Sequence, residues 1–168
     1  MQPRSEIPPV TFRDVAGADD LPAFEAAMRA LARDLGDGYA MPAEALARAL
    51  LGAPPAARGV LARAGPETLG AAMVSPQVST KRGAAGAFVS DLWVARSARG
   101  YGLGQRLLAE AARRARTLWQ AEWLALAVYD GQPAARRFYE RLGMRPQNGA
   151  VMMQLDRAGF ARLTEETT

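Results

Sequence analysis

The chain of 168 residues contains no cysteine and no histidine. Without cysteine there is no disulfide framework, no thiolate metal site and no cysteine nucleophile. Without histidine the commonest general base and metal ligand is missing, and a Ser-His-Asp arrangement is excluded. Acid–base chemistry is left to Asp, Glu, Tyr, Lys, water or the substrate itself. Lysine is nearly absent as well, since Lys81 is the only one among 21 basic residues. No apolar run is long enough to span a membrane. The first residues, Met1-Gln2-Pro3-Arg4-Ser5-Glu6, lack the apolar core of a secretory signal. A cytoplasmic protein without a metal site or a membrane partner is therefore expected.

What is present fits a globular domain. The length suits a single domain over residues 1–168, with a core of about 10–155. A hydrophobic fraction of 49% supports a real core. The net charge is +4, and the arginines are spread through the chain instead of blocked into a tail. That charge admits three readings: a nucleic-acid surface, solvated surface arginines, or local help for an anionic ligand. No nucleic-acid motif accompanies it, so no nucleic-acid partner is expected.

Periodicity places the elements. Val10 to Val15 reads as a strand. Asp19 or Asp20 can cap a helix that Pro22 helps to start and that runs to about Leu35, with Leu21, Phe24, Met28, Leu31 and Leu35 on one face. Gly36-Asp37-Gly38 ends it, and the loop around Tyr39 is a candidate border of a substrate cleft. A second helix is expected from Pro42 to Leu51, stopped by Gly52. Gly59 to Arg63 and Thr68 to Ser75 read as an antiparallel hairpin around Gly65-Pro66. Pro76 to Gly86 reads as a polar loop. Leu103, Leu107, Leu108, Ala111, Ala115 and Leu118 mark the clearest amphipathic helix. Glu122 to Tyr129 is nearly all apolar and reads as an interior strand, completing a βαβ unit with parallel pairing. Pro133 starts another helix that stops at Gly143, Val151 to Leu155 reads as a last strand, and Asp156 to Leu163 as a short amphipathic tail.

The stretch from Phe88 to Gly104 carries the most information. It begins as an apolar strand and passes through a short polar connection. It ends in Arg99-Gly100-Tyr101-Gly102-Leu103-Gly104 at the start of the long helix. Amides at a helix start have no intrahelical partner, and the helix dipole adds positive potential there. Glycines let the backbone approach an anion closely. The pattern predicts a phosphorylated ligand held between a strand end and a helix N-terminus.

Arg99-Gly100-Tyr101-Gly102-Leu103-Gly104 resembles the acyl-CoA pyrophosphate motif, Arg/Gln-x-x-Gly-x-Gly/Ala, of the GNAT superfamily of N-acetyltransferases. A second signature begins 28 residues beyond Gly104. The segment Gln132-Pro133-Ala134-Ala135-Arg136-Arg137-Phe138-Tyr139-Glu140-Arg141-Leu142-Gly143-Met144 is similar to that superfamily's Asn-x-x-Ala-x-x-Phe-Tyr-Glu-x-x-Gly-Phe. Gln132 stands where Asn is usual, keeping the amide, and Met144 where Phe is usual. The resemblance implies an α+β fold with a central mixed, mostly antiparallel twisted sheet of about six to seven strands flanked by about four helices.

It also implies a machine. Acetyl-CoA inserts where the strand before the glycine turn splays from its neighbour. Backbone groups of Leu92, Trp93 and Val94 then hold the pantetheine arm and thioester carbonyl, where an N–H also stabilises an oxyanion. Amides of Gly100, Tyr101, Gly102, Leu103, Gly104 and Gln105 cradle the pyrophosphate, and Arg99 supplies charge or orients the turn. Gln132, Ala135 and Tyr139 complete the cofactor set. Tyr139 matches the tyrosine that protonates the leaving thiolate, a role a phenol with a pKa of about 10 can fill. Asp91 is the candidate acceptor of the amine proton, directly or through water, and Ser90 and Asp91 border the substrate. With no cysteine for an acyl-enzyme, direct attack in a ternary complex is favoured.

Met41 to Ala62, Ser79 to Gly83 and the stretch up to Val94 are similar to the diamine and polyamine acetyltransferase branch. That branch shows Glu-Asp where this chain has Ser90-Asp91. With one carboxylate in place of two, the expected substrate widens to a small primary amine, either a diamine or an amino-acid-like amine. A protein N-terminus or lysine as acceptor, and a non-catalytic acyl-CoA-binding module, are the alternatives. A homodimer is expected from the resemblance.

Overall fold

The computed structural model describes residues 8–147, 149 and 151–165. The chain divides at Asp130 into two compact units, 1–129 and 130–168. Within the first, five strands form one sheet in chain order: β1 (Thr11–Asp14), β2 (Arg58–Ala64), β3 (Glu67–Ser79), β4 (Ala84–Val94) and β5 (Trp123–Leu126). The first three pairings are antiparallel and β4–β5 is parallel. The mixed, mostly antiparallel sheet and the parallel β-helix-β unit are thus as expected. Three helices accompany it: α1 (Leu21–Leu35), α2 (Ala43–Leu51) and α3 (Leu103–Trp119).

Side-chain alternation along the strands assigns the two sheet faces. Leu61 and Ala71, with Met73 and Trp93 beside them, pack with Phe24, Met28, Leu46 and Leu50 from α1 and α2. The intervening residues turn to the other face, where Leu107 of α3 lies close over Gly70 and Ala62. Leu103, Leu107 and Ala111 are 1% exposed or less, which fixes the apolar stripe of α3 against the sheet. Burying each of these leucines is worth about 1.5–3 kcal/mol.

Two expectations fail, each for a stated reason. The polar stretch 76–86 is not a loop. β3 runs to Ser79 and β4 starts at Ala84, so only Thr80 to Gly83 connect them. Ser75 to Ser79 pair with Phe88 to Ala84, while β2 ends at Arg58 opposite Val74. The end of β3 therefore has a partner on one side only, and Pro76, Gln77 and Val78 are exposed, while Gly86 to Val89 of β4 stay inside the sheet against β5. Pro76 sits in this single-partner stretch, where a sheet tolerates a residue with no N–H. The sheet also has five strands among the described residues, fewer than expected. Val151 to Leu155 makes no ladder, and Val151 and Met153 are 84% and 86% exposed. A short apolar run carries strand propensity, but without a paired neighbour it forms no strand.

The second unit contains α4 (Pro133–Arg141) and α5 (Arg157–Glu165). Pro133 opens α4, and Gly143 follows its end with φ +87°. With α5 formed from the amphipathic tail, the described residues hold five α-helices, one more than expected.

Candidate active site

The site is built from the C-terminal half of β4 outward. β4 pairs with β5 only from Gly86 to Val89, opposite Trp123 to Leu126. Beyond Val89 the parallel ladder stops. At the same point β4 bulges against β3: Val89 faces Val74 and Asp91 faces Met73, which leaves Ser90 as the extra residue. The Ala95 N–H bonds Leu69 C=O at 2.9 Å. Antiparallel alternation then turns the polar backbone of Trp93 toward β3 and that of Leu92 and Val94 away from it, to the side that β5 has vacated. The sequence treated these three residues alike, and the register separates them. The Trp93 indole donates to a carboxylate of α1.

That indole points to a residue the sequence did not single out. Asp34, near the end of α1, accepts hydrogen bonds from Trp93 Nε1 at 3.3 Å, an Arg96 guanidinium nitrogen at 3.1 Å and an Arg99 guanidinium nitrogen at 2.5 Å. Arg99 Nε also donates to Val94 C=O at 2.9 Å. Arg99 is thereby committed to shaping the turn between β4 and α3. Burial alone raises the Asp34 pKa, but the Arg99 and Arg96 hydrogen bonds, the Arg99 charge and Trp93 outweigh it and hold the carboxyl below its ordinary value.

The turn itself is open for an anion. Gly100 and Gly102 have φ of +84° and +76°, the left-handed region that favours glycine, and a Cβ at either would meet no atom within 4 Å. The N–H groups from Gly100 to Gln105 donate to no acceptor among the described residues, and the first turn of α3 closes only with the Arg106 N–H on Gly102 C=O. Leu103 itself is buried, so its side chain anchors the helix while its amide belongs to the turn. Such a run of amides at the start of a 17-residue helix is an anion cradle. The donor set fits the pyrophosphate of coenzyme A.

On the other side of β4, register turns Asp91 to the face that α1 and α2 cover. Tyr39, in the α1–α2 loop, packs against that core. Its hydroxyl is shielded from solvent and has no hydrogen-bond partner among the described residues. The Arg29 guanidinium, itself paired with Glu25 at 2.6 Å, lies 4.3 Å from the centre of the Tyr39 ring. Tyr129, just past β5, donates from Oη to Asp37 Oδ2 at 3.0 Å. Burial and the Glu25 and Asp91 charges raise the Tyr39 pKa against the opposing effect of Arg29. The Asp37 hydrogen bond and charge, with smaller contributions from burial and Asp91, raise that of Tyr129.

In the second unit, Gln132, Ala135 and Tyr139 fall three and four residues apart along one stripe of α4. Gln132 stands at the helix start, where its C=O accepts the Arg136 N–H at 3.1 Å. Tyr139 packs edge-on against Phe138, with ring centres 5.0 Å apart. Burial raises its pKa, so the phenol stays protonated and able to donate.

Residues 24–144, well over half of the chain, match the acetyltransferase (GNAT) family. The chain belongs to the acetyltransferase (GNAT) family. As a GNAT-type N-acetyltransferase it takes its acetyl group from acetyl-CoA. Solved structures share the fold at low identity. An integron cassette protein from the mobile metagenome of V. cholerae is 21% identical, with a TM-score of 0.74 over 93% of this chain and 98% of its own. The ribosomal-protein-alanine N-acetyltransferase from Brucella melitensis biovar Abortus 2308 is 19% identical, with a TM-score of 0.69 over 88% of this chain and 100% of its own. The aminoglycoside N-acetyltransferase AAC(6')-Iy, in complex with CoA, is 16% identical, with a TM-score of 0.69 over 91% of this chain and 98% of its own. No curated protein sequence matches the chain.

Two residues with long-range side-chain contacts in this GNAT fold, Asp34 and Tyr129, had no motif to announce them. Asp34 gains its meaning from partners 59 to 65 positions away. Tyr129 reads in the sequence only as the end of an apolar strand.

Proposed function

We propose that the protein transfers the acetyl group of acetyl-CoA to a primary amine of a small molecule, a diamine or an amino-acid-like amine, by direct attack in a ternary complex. The observation that carries this reading is the run of amides from Gly100 to Gln105, unpartnered among the described residues, in the turn that follows the end of β4 at Val94. When bound, acetyl-CoA supplies an activated acetyl thioester. Arg99 and Asp34 hold the turn in shape, and the amides of Gly100 to Gln105 receive the pyrophosphate. The backbone of Leu92 and Val94 receives the pantetheine arm and thioester carbonyl, and Gln132 and Ala135 complete the cofactor set. Ser90 and Asp91 border the amine.

Proton bookkeeping assigns the remaining roles. An alkylamine with a pKa of about 10.4 is almost wholly protonated at neutral pH, and only its neutral form attacks. Asp91, directly or through a water, accepts that proton. The leaving thiolate takes a proton from Tyr139, whose burial keeps the phenol charged with it. The chain has no cysteine to carry an acyl group, which supports direct transfer. No helix among the described residues is long and apolar enough to cross a membrane. A cytoplasmic homodimer is part of the proposal.

Tyr139→Phe tests the reading. The variant should lose about a hundredfold in kcat, the usual worth of a general acid, with acetyl-CoA affinity little changed. Thiol release equal to wild type would remove Tyr139 from the chemistry.

A further inference from the structure

The peptide unit that ends β4 is fixed on both sides. The Val94 C=O accepts from Arg99 Nε at 2.9 Å, and the Ala95 N–H donates to Leu69 C=O at 2.9 Å. A peptide unit is planar, so these two bonds together set its orientation. Register turns the polar backbone of Leu92 and Val94 to the side that β5 has vacated. With the Val94 carbonyl engaged by Arg99, the Leu92 N–H, the Leu92 C=O and the Val94 N–H remain on that side. A Val94 carbonyl without Arg99 would need another donor there, water or the ligand itself.

Arg99 is held in that position from α1. Its guanidinium donates through Nε to Val94 and through Nη2 to Asp34 Oδ2 at 2.5 Å. The same carboxylate accepts from Trp93 Nε1 at 3.3 Å and from Arg96 Nη2 at 3.1 Å. The end of β4, the connection after it and the residue before the glycine turn thus converge on one side chain. The two arginines are not equivalent. The Arg96 side chain is 82% exposed and that of Arg99 47%. Arg99 alone carries the link on to the backbone of β4, while Arg96 adds charge at the rim. A planar guanidinium fork can span two acceptors in this way, and a lysine ammonium cannot do so in the same geometry.

We infer that Asp34 is a positioning residue for acetyl transfer: through Arg99 it fixes the Val94 carbonyl and so aligns the strand end that receives the pantetheine arm and thioester of acetyl-CoA. Arg99 then acts on that half of the cofactor and is not a ligand of the pyrophosphate, which is left to the amides of Gly100 to Gln105. This rests on the placement of acetyl-CoA proposed above and names the side chains behind one half of it.

Two partial ligands separate the halves. S-acetylpantetheine carries the thioester arm without the pyrophosphate, and ADP carries the pyrophosphate without the arm. Arg99→Gln should lower kcat/KM about tenfold with acetyl-CoA and with S-acetylpantetheine alike, the usual worth of one charge-assisted hydrogen bond. Asp34→Asn should show the same pattern at a smaller size. Arg99→Lys keeps the charge but loses the fork, so it should resemble Arg99→Gln. Arg96→Gln should change each value by about twofold or less. Calorimetry gives a readout without turnover: Arg99→Gln should weaken CoA about tenfold and leave ADP unchanged. A loss with acetyl-CoA and ADP that spares S-acetylpantetheine, or full rescue by Arg99→Lys, assigns Arg99 to the phosphates and overturns the inference. Values equal to wild type in both Asp34→Asn and Arg99→Gln overturn it as well. If the wild type releases no thiol with any amine, the transfer reading fails, and the calorimetric comparison decides the alignment of CoA by itself. Melting curves identify a variant that has lost its fold, and Asp34→Asn, which keeps the size of the side chain, then carries the comparison.

Discussion

Asp34 shows how one carboxylate can hold a catalytic turn without touching its ligand. It gathers Trp93, Arg96 and Arg99, and through Arg99 it reaches the Val94 carbonyl. Asp34→Asn should lower stability by about 1–2 kcal/mol, a modest figure because both arginines remain in contact with solvent. The pH dependence has a definite sign. The folded-state pKa lies below the unfolded value of about 3.9, so the stabilisation is complete above that value and is lost as pH falls through the folded one. Urea melts should therefore show the full wild-type advantage near neutrality and a shrinking one below about pH 4. An advantage that stays constant into acid would assign the effect to packing instead. Single residues were legible in the sequence where a motif fixed their backbone role. The glycines at 100 and 102 are such a case, since their positive φ is the conformation the motif needs. Asp34 was not legible, because its hydrogen bonds come from partners that only the tertiary fold brings near.

Elements follow the same division. The helix periodicities were readable: α1, α2, α3 and α4 lie within one or two residues of their expected bounds, because each has a marked apolar stripe and a glycine or proline near its ends. The end of the β3–β4 hairpin reads as a loop in the sequence because exposed strands carry loop-like composition. Pro76, Gln77 and Val78 are exposed, and only the hairpin pairing of Ser75 to Ser79 with Phe88 to Ala84 shows the stretch as strand. The bulge at Ser90 and the early end of β5 were likewise invisible to periodicity, although they decide which backbone groups face the gap. The turn into α3 makes a prediction of its own. Gly102→Val forces a β-branched residue to φ +76° without a steric clash, so it should cost about 1–2 kcal/mol of stability from backbone strain. It should also displace the neighbouring amides and weaken acetyl-CoA binding by more than tenfold. Calorimetry and a thermal melt on the same sample separate the two effects, and unchanged affinity would contradict the pyrophosphate assignment.

For the whole molecule, charge and fold point in different directions and are reconciled locally. The chain is basic overall, which by itself suits an anionic partner. Part of that charge is met within the fold, where Arg114 pairs with Asp14 and Glu110, and Arg96 and Arg99 pair with Asp34. The proposed anion site is made mainly of backbone amides, and the proposed acceptor side carries the carboxylate of Asp91. That division suits an enzyme that brings a polyanionic thioester to a positively charged amine. The measurement that tests this most directly is thiol release from acetyl-CoA across a panel of primary amines, amino acids and an N-terminal peptide. The account predicts turnover with small primary amines, diamines or amino-acid-like amines, and little with the peptide. Release no faster than in the absence of protein, across the whole panel, would contradict it.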